Sequence, residues 1–231
     1  MFQGAFSRQI VKRIAPRELH LVDAWRFTPE RWGNTPGEIE AAARFFKEWL
    51  GKRLPQYDGG DPAPHLDAVH EAVAAGFVDR PQVKIHRAFS REAARAFPDR
   101  FFDFIYIDAD LRYEQVLRDL FTYEKKLKDG GILFGDDFQD DLRAEPSPYG
   151  VIEAVTTFLK RTGYHCLAIT GPLDSNFFLC KSLSPYVNHF IDNLLRSNAQ
   201  IISINDCQLA NYAQRAVTTS GGDFTRTIPS F

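Results

Sequence analysis

Two short apolar runs in the middle of the chain, Phe102–Ile107 and Gly131–Phe134, are each followed closely by a pair of acidic residues. Carboxylates that cluster in a folded protein repel one another unless a cation or protons neutralise them. Their oxygens suit a hard ion such as Mg²⁺. The acidic residues are Asp108, Asp110, Asp136 and Asp137.

The two apolar runs read as buried strands. A nearly continuous apolar run is typical of a parallel sheet covered by helices on both faces. Between the runs, 112–127 carries apolar residues at helical spacing, and Gly130 and Gly131 mark the stop. A strand, a helix and a strand joined by a right-handed crossover make a parallel pair. Ligands bind beyond the carboxyl ends of such strands, so we expect the four carboxylates at that edge.

A purely structural role for the same aspartates remains open. Asp108 and Asp110 could cap the helix that follows, because a carboxylate there accepts hydrogen bonds from free amides and complements the helix dipole. Asp136 and Asp137 could belong to a solvated loop. The types and positions of these four residues do not decide between a cation site and these roles.

The N-terminal region has the order of a nucleotide-binding unit. A turn at Gly4 leads into a helix, and a short strand, 18–22, ends at Asp23. Doubly wound folds place an acidic residue about 20 residues after a glycine turn, where it binds a ribose, and Gly4 and Asp23 are 19 positions apart. Asp is also common at any strand end. The next predicted strand is Val83–Arg87.

Segments on either side of this core are less regular. Residues 25–64 hold an amphipathic helix, 36–50, which either packs on the sheet or forms a lid above the strand ends. Residues 164–170 and 176–181 predict an antiparallel hairpin. The remainder, 182–231, predicts a helix at 185–195 and suggests a docking or oligomerisation role.

The composition excludes several classes of protein. The net charge of −2 gives no bulk electrostatic reason to bind nucleic acid or an anionic membrane. The three cysteines, Cys166, Cys180 and Cys207, lack metal-ligand spacing and indicate reduced thiols. No apolar run approaches ~20 residues, and a signal-peptide pattern is absent. We therefore expect a cytoplasmic protein that binds neither nucleic acid nor membrane.

The ordered phrases LHLVDAW, VKIHRAFS, FDFIYIDAD, RYEQV, GGILFGDDF and GVIEAV, within 4–181, resemble class I S-adenosylmethionine-dependent methyltransferases. The nearest branch is that of the macrocin O-methyltransferase and cephalosporin-hydroxylase-like proteins, with a metal site similar to that of catechol O-methyltransferase. The resemblance implies an α/β, three-layer Rossmann-like sheet, mostly parallel with an antiparallel hairpin at its end. It also implies a catalytic domain over 1–181, with a lid at about 25–64, and a C-terminal extension over 182–231.

The resemblance assigns residues to two cofactors. Gly4 falls on the turn that approaches the methionine part of S-adenosylmethionine, and Asp23 falls on the acidic position that holds its ribose. Phe89 and Ser90 fall where the family contacts adenine. The implied ligands of a Mg²⁺ ion are Asp108, Asp136 and Asp137.

The implied reaction is O-methylation of a small hydroxylated molecule, such as a sugar or a secondary metabolite. The metal would bind the acceptor hydroxyl, lower its pKa and align it with the methyl group. Asp108 and Asp110 are the implied catalytic residues. Relatives commonly have a histidine where this chain has Leu111, so Asp110 or a residue of the 139–141 loop would replace it as proton acceptor.

Two other classes of function remain open. The Leu111 substitution also fits a catalytically silent relative that binds a nucleotide-like ligand or a partner protein. A nicotinamide-dependent oxidoreductase is disfavoured, because the chain has no G-x-G-x-x-G motif.

Relatives also have a central strand before the glycine turn, and here the turn lies at the start of the sequence. Loss of a central strand would expose two strand edges. We expect that the true start lies upstream, or else that 199–204 fills the gap.

Overall fold

The computed structural model describes residues 2–139, 150–171, 175–202 and 213–230. The chain forms two compact units, Met1–Ala93 and Ala94–Phe231. Helices and strands alternate along most of both units, which confirms the predicted α/β class. Among the described helices, none is both long enough and apolar enough to cross a membrane.

The first unit contains a two-stranded parallel sheet of β1 (Leu19–Asp23) and β2 (Val83–Arg87), whose last residues are register partners. A single turn of 3-10 helix lies at Pro29–Arg31. Four α-helices accompany the sheet: α1 (Ala5–Ile14), α2 (Pro36–Arg53), α3 (Pro62–Ala75) and α4 (Ser90–Ala93).

Helix starts in the first unit follow from local sequence signals. Thr35 and Glu38 form a reciprocal capping box at the start of α2. The side chain of each residue accepts a hydrogen bond from the backbone N–H of the other. Asp61 accepts from Ala63 N at the start of α3. In α1 the side chain of Ile10 is buried, whereas those of Phe6 and Ile14 are exposed.

The second unit contains a five-stranded sheet in the order β3-β4-β6-β5-β7. Among its described strands only β3 and β4 pair in parallel, and the hairpin of β5 and β6 is antiparallel as predicted, so the sheet is mixed. A separate antiparallel hairpin, β8 and β9, follows. The strands are β3 (Phe102–Ile107), β4 (Leu127–Gly135), β5 (His165–Thr170), β6 (Phe177–Cys180), β7 (Ile201–Ile202), β8 (Ala213–Thr218) and β9 (Thr225–Ser230).

Helices cover both faces of this sheet, which gives the predicted three layers within the second unit. Alternate residues of a strand point to opposite faces: Leu133 of β4 joins the core formed with α5 and α6, whereas Ile132 joins Val187 of α7 on the other face. Single turns of 3-10 helix lie at Ala94–Ala96 and Glu124–Lys126. The helices are α5 (Tyr113–Tyr123), α6 (Val151–Arg161) and α7 (Pro185–Arg196).

The described strands belong to three sheets. The two parallel pairs, β1-β2 and β3-β4, belong to separate sheets. The hypothesis that 199–204 supplies a central strand is wrong for its described part. Ile201 and Ile202 pair with Thr170 and Ile169 of β5, at the edge opposite to β3.

The described part of the predicted C-terminal extension, 182–231, belongs to the second unit. Ile228 of β9 shares a core with Ile201 and Ala168. The Arg226 guanidinium donates to the backbone oxygens of Leu195, Ser197 and Ala199, at 3.3, 2.7 and 2.7 Å, where the C-terminal carbonyls of α7 lack helical partners. The compact units divide at 93/94, and the proposed domain boundary at 181 stays a prediction.

Candidate functional site

Three of the predicted carboxylates meet at one edge of the five-stranded sheet. One oxygen from each of Asp108, Asp136 and Asp137 lies within 4.8 Å of the others. The register of β3 and β4 causes this, because Ile107 and Gly135 are partners and Asp136 N donates to the Ile107 oxygen at 3.2 Å. Asp108 is exposed, and the other two carboxylates are half-buried.

The backbone around the cluster is tightly constrained. A Cβ atom at Gly135 would lie 2.5 Å from Cζ of Phe177 and 2.6 Å from the oxygen of Ile107. Asp137 has φ 55°, in the left-handed region. Its backbone N–H donates to Asp136 Oδ1 at 2.9 Å, and Gln139 Nε2 donates to Asp137 Oδ1 at 3.2 Å. These contacts fix where the two carboxylates point.

Tyr106 belongs to the same neighbourhood and was not predicted. Burial, followed by the charges of Asp108 and Asp136, raises the pKa of Tyr106. Its ring packs on Phe134 with centroids 4.9 Å apart. The available signal was the strand period of two, which puts Tyr106 and Asp108 on the same face of β3.

Asp110 is not a member of the three-carboxylate cluster. It forms a two-point ion pair with Arg112, Nε to Oδ1 at 3.0 Å and Nη2 to Oδ2 at 2.6 Å, and it also accepts from Arg112 N. The pair holds Asp110 at the start of α5. Its predicted catalytic role stays a prediction.

Leu111 packs against the core of the second unit, and its backbone oxygen accepts from Gly150 N at 2.8 Å. A Cβ at Gly150 would lie 2.4 Å from Tyr113 N, so this approach requires glycine. In the 139–141 loop, Gln139 bears an amide, which is not a proton acceptor of useful strength. Residues 140 and 141 lie outside the described residues.

The donor set of the cluster fits a hard divalent cation. Three carboxylates offer oxygen ligands alone, which suits Mg²⁺ rather than a softer metal. A cation would also offset the mutual repulsion of the three charges. The residues present therefore fit the metal that the sequence implied.

In the first unit, Asp23 organises the backbone around the end of β1. Its Oδ2 accepts from Phe2 N at 3.0 Å and its Oδ1 accepts from Trp25 N at 2.8 Å. Ala88 N donates to the backbone oxygen of Asp23 at 3.0 Å and joins the ends of β1 and β2. Each carboxylate oxygen has two acceptor sites, so Asp23 retains the capacity to bind ribose hydroxyls.

Gly4 lies in the turn that precedes α1, with φ 70°. A side chain at this φ is disfavoured, and a Cβ would also lie 3.3 Å from Arg8 Nη1. Trp25 Nε1 donates to the Phe2 oxygen at 3.0 Å and ties the turn to the end of β1. The turn that is predicted to approach the methionine part of S-adenosylmethionine is therefore held beside Asp23 by the contacts of Phe2 and Trp25.

Ser90 is the first residue of α4, and Phe89 precedes it, two residues after the end of β2. The Phe89 oxygen accepts from Glu92 N and Ala93 N, at 2.9 and 3.0 Å. The Arg31 guanidinium carbon lies 3.7 Å from the Phe89 ring centroid, a cation–π contact that the sequence did not predict. The predicted adenine contact is thus already packed against the 25–64 segment.

The predicted lid segment has its own aromatic stack. The rings of Phe27 and Phe46 are parallel, with centroids 4.0 Å apart, and Trp49 continues the stack at 5.6 Å from Phe46. Phe2 contacts Trp49 at 4.9 Å. This order links α2 to the turn before Gly4, and movement of the segment as a lid stays a prediction.

A comparison with protein families gives one match, to the model described as Methyltransferase domain, over residues 2–138. The chain belongs to this family. The methyltransferase domain includes every predicted cofactor and metal residue, from Gly4 to Asp137. The macrocin O-methyltransferase and cephalosporin-hydroxylase-like branch stays a prediction.

Solved structures show weaker similarity. Spermidine synthase from Thermotoga maritima is 17% identical with a TM-score of 0.44, over 84% of this chain and 55% of that one. An SAH-bound methyltransferase from Podospora anserina is 14% identical with a TM-score of 0.44, over 77% of each chain. At these TM-scores the family assignment rests on the sequence match. The sequence matches none of the curated proteins with which it was compared.

Proposed function

We propose that this chain is an S-adenosylmethionine-dependent, Mg²⁺-assisted O-methyltransferase. The proposed acceptor is a small hydroxylated molecule, such as a sugar or a secondary metabolite. One observation carries the proposal: three carboxylates within 4.8 Å of one another follow strands of a segment that matches a methyltransferase domain.

The first unit supplies the proposed cofactor-binding residues. Asp23 would accept hydrogen bonds from the ribose hydroxyls, and the backbone at Gly4 would approach the methionine part without a side chain in the way. Phe89 and Ser90 would contact the adenine. The hydrogen bonds of Asp23 to Phe2 and Trp25 support this proposal, because they hold the carboxylate and the turn together before a ligand arrives.

The second unit supplies the proposed cation-binding residues Asp108, Asp136 and Asp137. A divalent cation supplies Lewis-acid activation of a hydroxyl and neutralises negative charge. Asp108 is the most exposed of the three carboxylates and would receive the acceptor's proton, directly or through water. Asp110 would hold α5 in place through Arg112, and it is the alternative proton acceptor.

A second function is favoured by the position of Leu111. This side chain packs into the core and cannot accept a proton, although the family resemblance implies a histidine here. A silent relative would bind S-adenosylmethionine or a similar nucleotide without transferring a methyl group. Transfer of labelled methyl from S-adenosylmethionine to a panel of catechols, sugars and phenols separates the two functions.

Calorimetric titration tests the enzyme proposal. S-adenosylmethionine is titrated into the chain with and without Mg²⁺, and Mg²⁺ is titrated into the wild type and into Asp136→Ala. Asp129→Ala is the matched control, because it removes an exposed carboxylate from the other end of β4. We expect micromolar cofactor binding and a loss of Mg²⁺ binding in Asp136→Ala alone. A folded chain that binds neither would overturn the proposal.

Three further proposals concern the setting of the protein. The cysteines are few and lack the spacing of metal ligands, which supports a cytoplasmic location. The net charge of −2 supports the absence of a nucleic-acid partner. Homo-oligomerisation through 182–231 is tested by light scattering of the purified chain, and a monomer at every concentration would contradict it.

A further inference from the structure

We propose that a cavity between α1 and α3 of the first unit binds a small molecule with one carboxylate and an apolar body. The cavity has a volume of about 340 Å³, which is within the range of small-molecule sites. Its lining comes from the turn before α1, from α1, from the segment after α2 and from α3. The described lining residues include none of the four proposed cofactor residues. The inference is therefore independent of the proposed function.

One wall of the cavity is apolar. Val69 and Val73 lie one turn apart on α3, and Leu54 directly follows α2. All three side chains are buried, so the apolar body of a ligand would rest on side chains that already belong to the core. Ala68 and Ala72 also line the cavity, are exposed and are small, so they leave this part of α3 accessible. Removal of apolar surface from water at such a wall favours binding.

Arg8 alone is charged among the described residues that line the cavity. It lies near the start of α1, where its backbone N–H donates to the Gly4 oxygen at 3.0 Å. Its guanidinium lies close to two glycines, because Cβ atoms at Gly4 and Gly76 would be 3.3 and 3.8 Å from Nη1. The missing side chains at these two positions leave room for the guanidinium beside the apolar wall.

A single guanidinium favours a singly charged anion. Its planar fork matches the two oxygens of a carboxylate, whereas a phosphate monoester carries about −1.5 to −2 charges at neutral pH and would keep part of its charge unpaired. The amides of Gln3 and Gln56 line the same cavity and offer further hydrogen-bond donors. The Gln3 amide is held in place there, because its Nε2 donates to the Arg53 oxygen at 3.3 Å. The lining thus fits a carboxylate with an apolar body.

Calorimetric titration of octanoate, octanol and octylamine into the full chain tests the inference, because the three ligands share one apolar chain. We expect octanoate to bind about tenfold or more tightly than octanol, since only its carboxylate pairs with the guanidinium, and octylamine to bind least. Arg8→Gln should reduce octanoate binding to the level of octanol and leave octanol binding unchanged. Arg13→Gln is the matched control on the same helix, where Arg13 Nε donates to Gln9 Oε1 at 3.3 Å, and it should bind octanoate as the wild type does.

A blocking variant locates the site. Ala72→Phe would add a ring to the cavity from an exposed position, so it should fold normally by circular dichroism and bind neither octanoate nor octanol. A wild type that does not bind octanoate, or that binds octanol equally well, would overturn the inference. Unchanged octanoate affinity in Arg8→Gln or in Ala72→Phe would do the same.

Competition with S-adenosylmethionine separates this site from the proposed cofactor site. We expect no displacement of octanoate, and competitive displacement would contradict a separate site. A chain that binds octanoate through Arg8 but neither S-adenosylmethionine nor Mg²⁺ would overturn the proposed function and leave this inference intact.

Discussion

Gly135 and Phe177 are so close that only a hydrogen fits between them: a Cβ at Gly135 would lie 2.5 Å from the Phe177 ring. Gly135 is also the residue before Asp136. The packing of β4 against β6 therefore sets the backbone position of Asp136, a proposed cation ligand.

Gly135→Ala should destabilise the protein and weaken Mg²⁺ binding together. The new methyl group would displace Phe177 or the β3 strand, at a cost of about 1–3 kcal/mol. Urea unfolding and calorimetry measure the two effects. Gly163→Ala is the control, since no atom lies within 4 Å of its Cβ position, and its unfolding free energy should stay within about 0.5 kcal/mol. Wild-type stability in Gly135→Ala would contradict the observed packing.

Asp23→Asn should weaken S-adenosylmethionine binding by at least roughly tenfold, because a hydrogen bond to a charged acceptor is worth about 1.5–3 kcal/mol. The amide also loses one acceptor for the amides of Phe2 or Trp25. Calorimetry without metal measures the change. Asp79→Asn replaces an exposed carboxylate of the same unit and should bind normally. Equal affinities in the two variants would exclude Asp23 from the cofactor site.

Asp108→Ala and Asp110→Ala should differ in Mg²⁺ affinity. Asp108 contributes an oxygen to the three-carboxylate cluster, whereas the Asp110 carboxylate accepts from Arg112. Asp108→Ala should lose about tenfold or more, and Asp110→Ala should stay close to the wild type. If Asp110→Ala lost as much affinity as Asp108→Ala, Asp110 would be a ligand and the present ligand set would be wrong.

Because of His86, the free energy of unfolding should fall as the pH is lowered below about 6.5. Burial, and then the neighbouring His20, lower the pKa of His86 below 6.5, and its Nε2 lies 2.9 Å from His20 Nδ1. Below pH 6.5 the unfolded chain therefore binds a proton first, so stability falls as the pH falls towards the folded-state pKa. Urea unfolding at about pH 7.5 and about pH 5.5 measures this slope. His86→Gln should reduce the slope, and an unchanged slope would contradict the prediction.

Cys166 should react slowly with iodoacetamide in the folded protein. Burial raises the pKa of the Cys166 thiol to about 11, against an ordinary value of 9.0, which lowers the thiolate fraction about 100-fold at neutral pH. Peptide mapping after alkylation, in buffer and in urea, measures the difference. Equal rates in the two solvents would show that Cys166 is accessible and ionised more readily than its surroundings suggest.

The sequence predicted the elements that surround the candidate site. The strands Val83–Arg87 and Phe102–Ile107 have the predicted bounds. The helix predicted over 112–127 ends at Tyr123 and Leu127 begins β4. Leu127 satisfies the helical spacing as well as the strand pattern, so local periodicity could not place this boundary.

The features that the sequence missed depend on contacts between distant residues. Arg31 packs on Phe89, and the ring of Tyr106 packs on Phe134, in each case across separate elements. The β8–β9 hairpin was missed because Ala213–Thr218 lacks a clear apolar alternation. The juxtaposition of Asp108, Asp136 and Asp137 was predictable, because adjacent parallel strands end at the same edge.

The contacts of Arg226 have a consequence for synthesis on the ribosome. This side chain caps backbone oxygens 27, 29 and 31 residues earlier in the chain. At about 5–20 residues per second, the end of α7 would be translated roughly 1–6 s before Arg226, whose guanidinium bonds to these oxygens. During that interval the backbone oxygens of Leu195, Ser197 and Ala199 would bond to water in place of the Arg226 guanidinium.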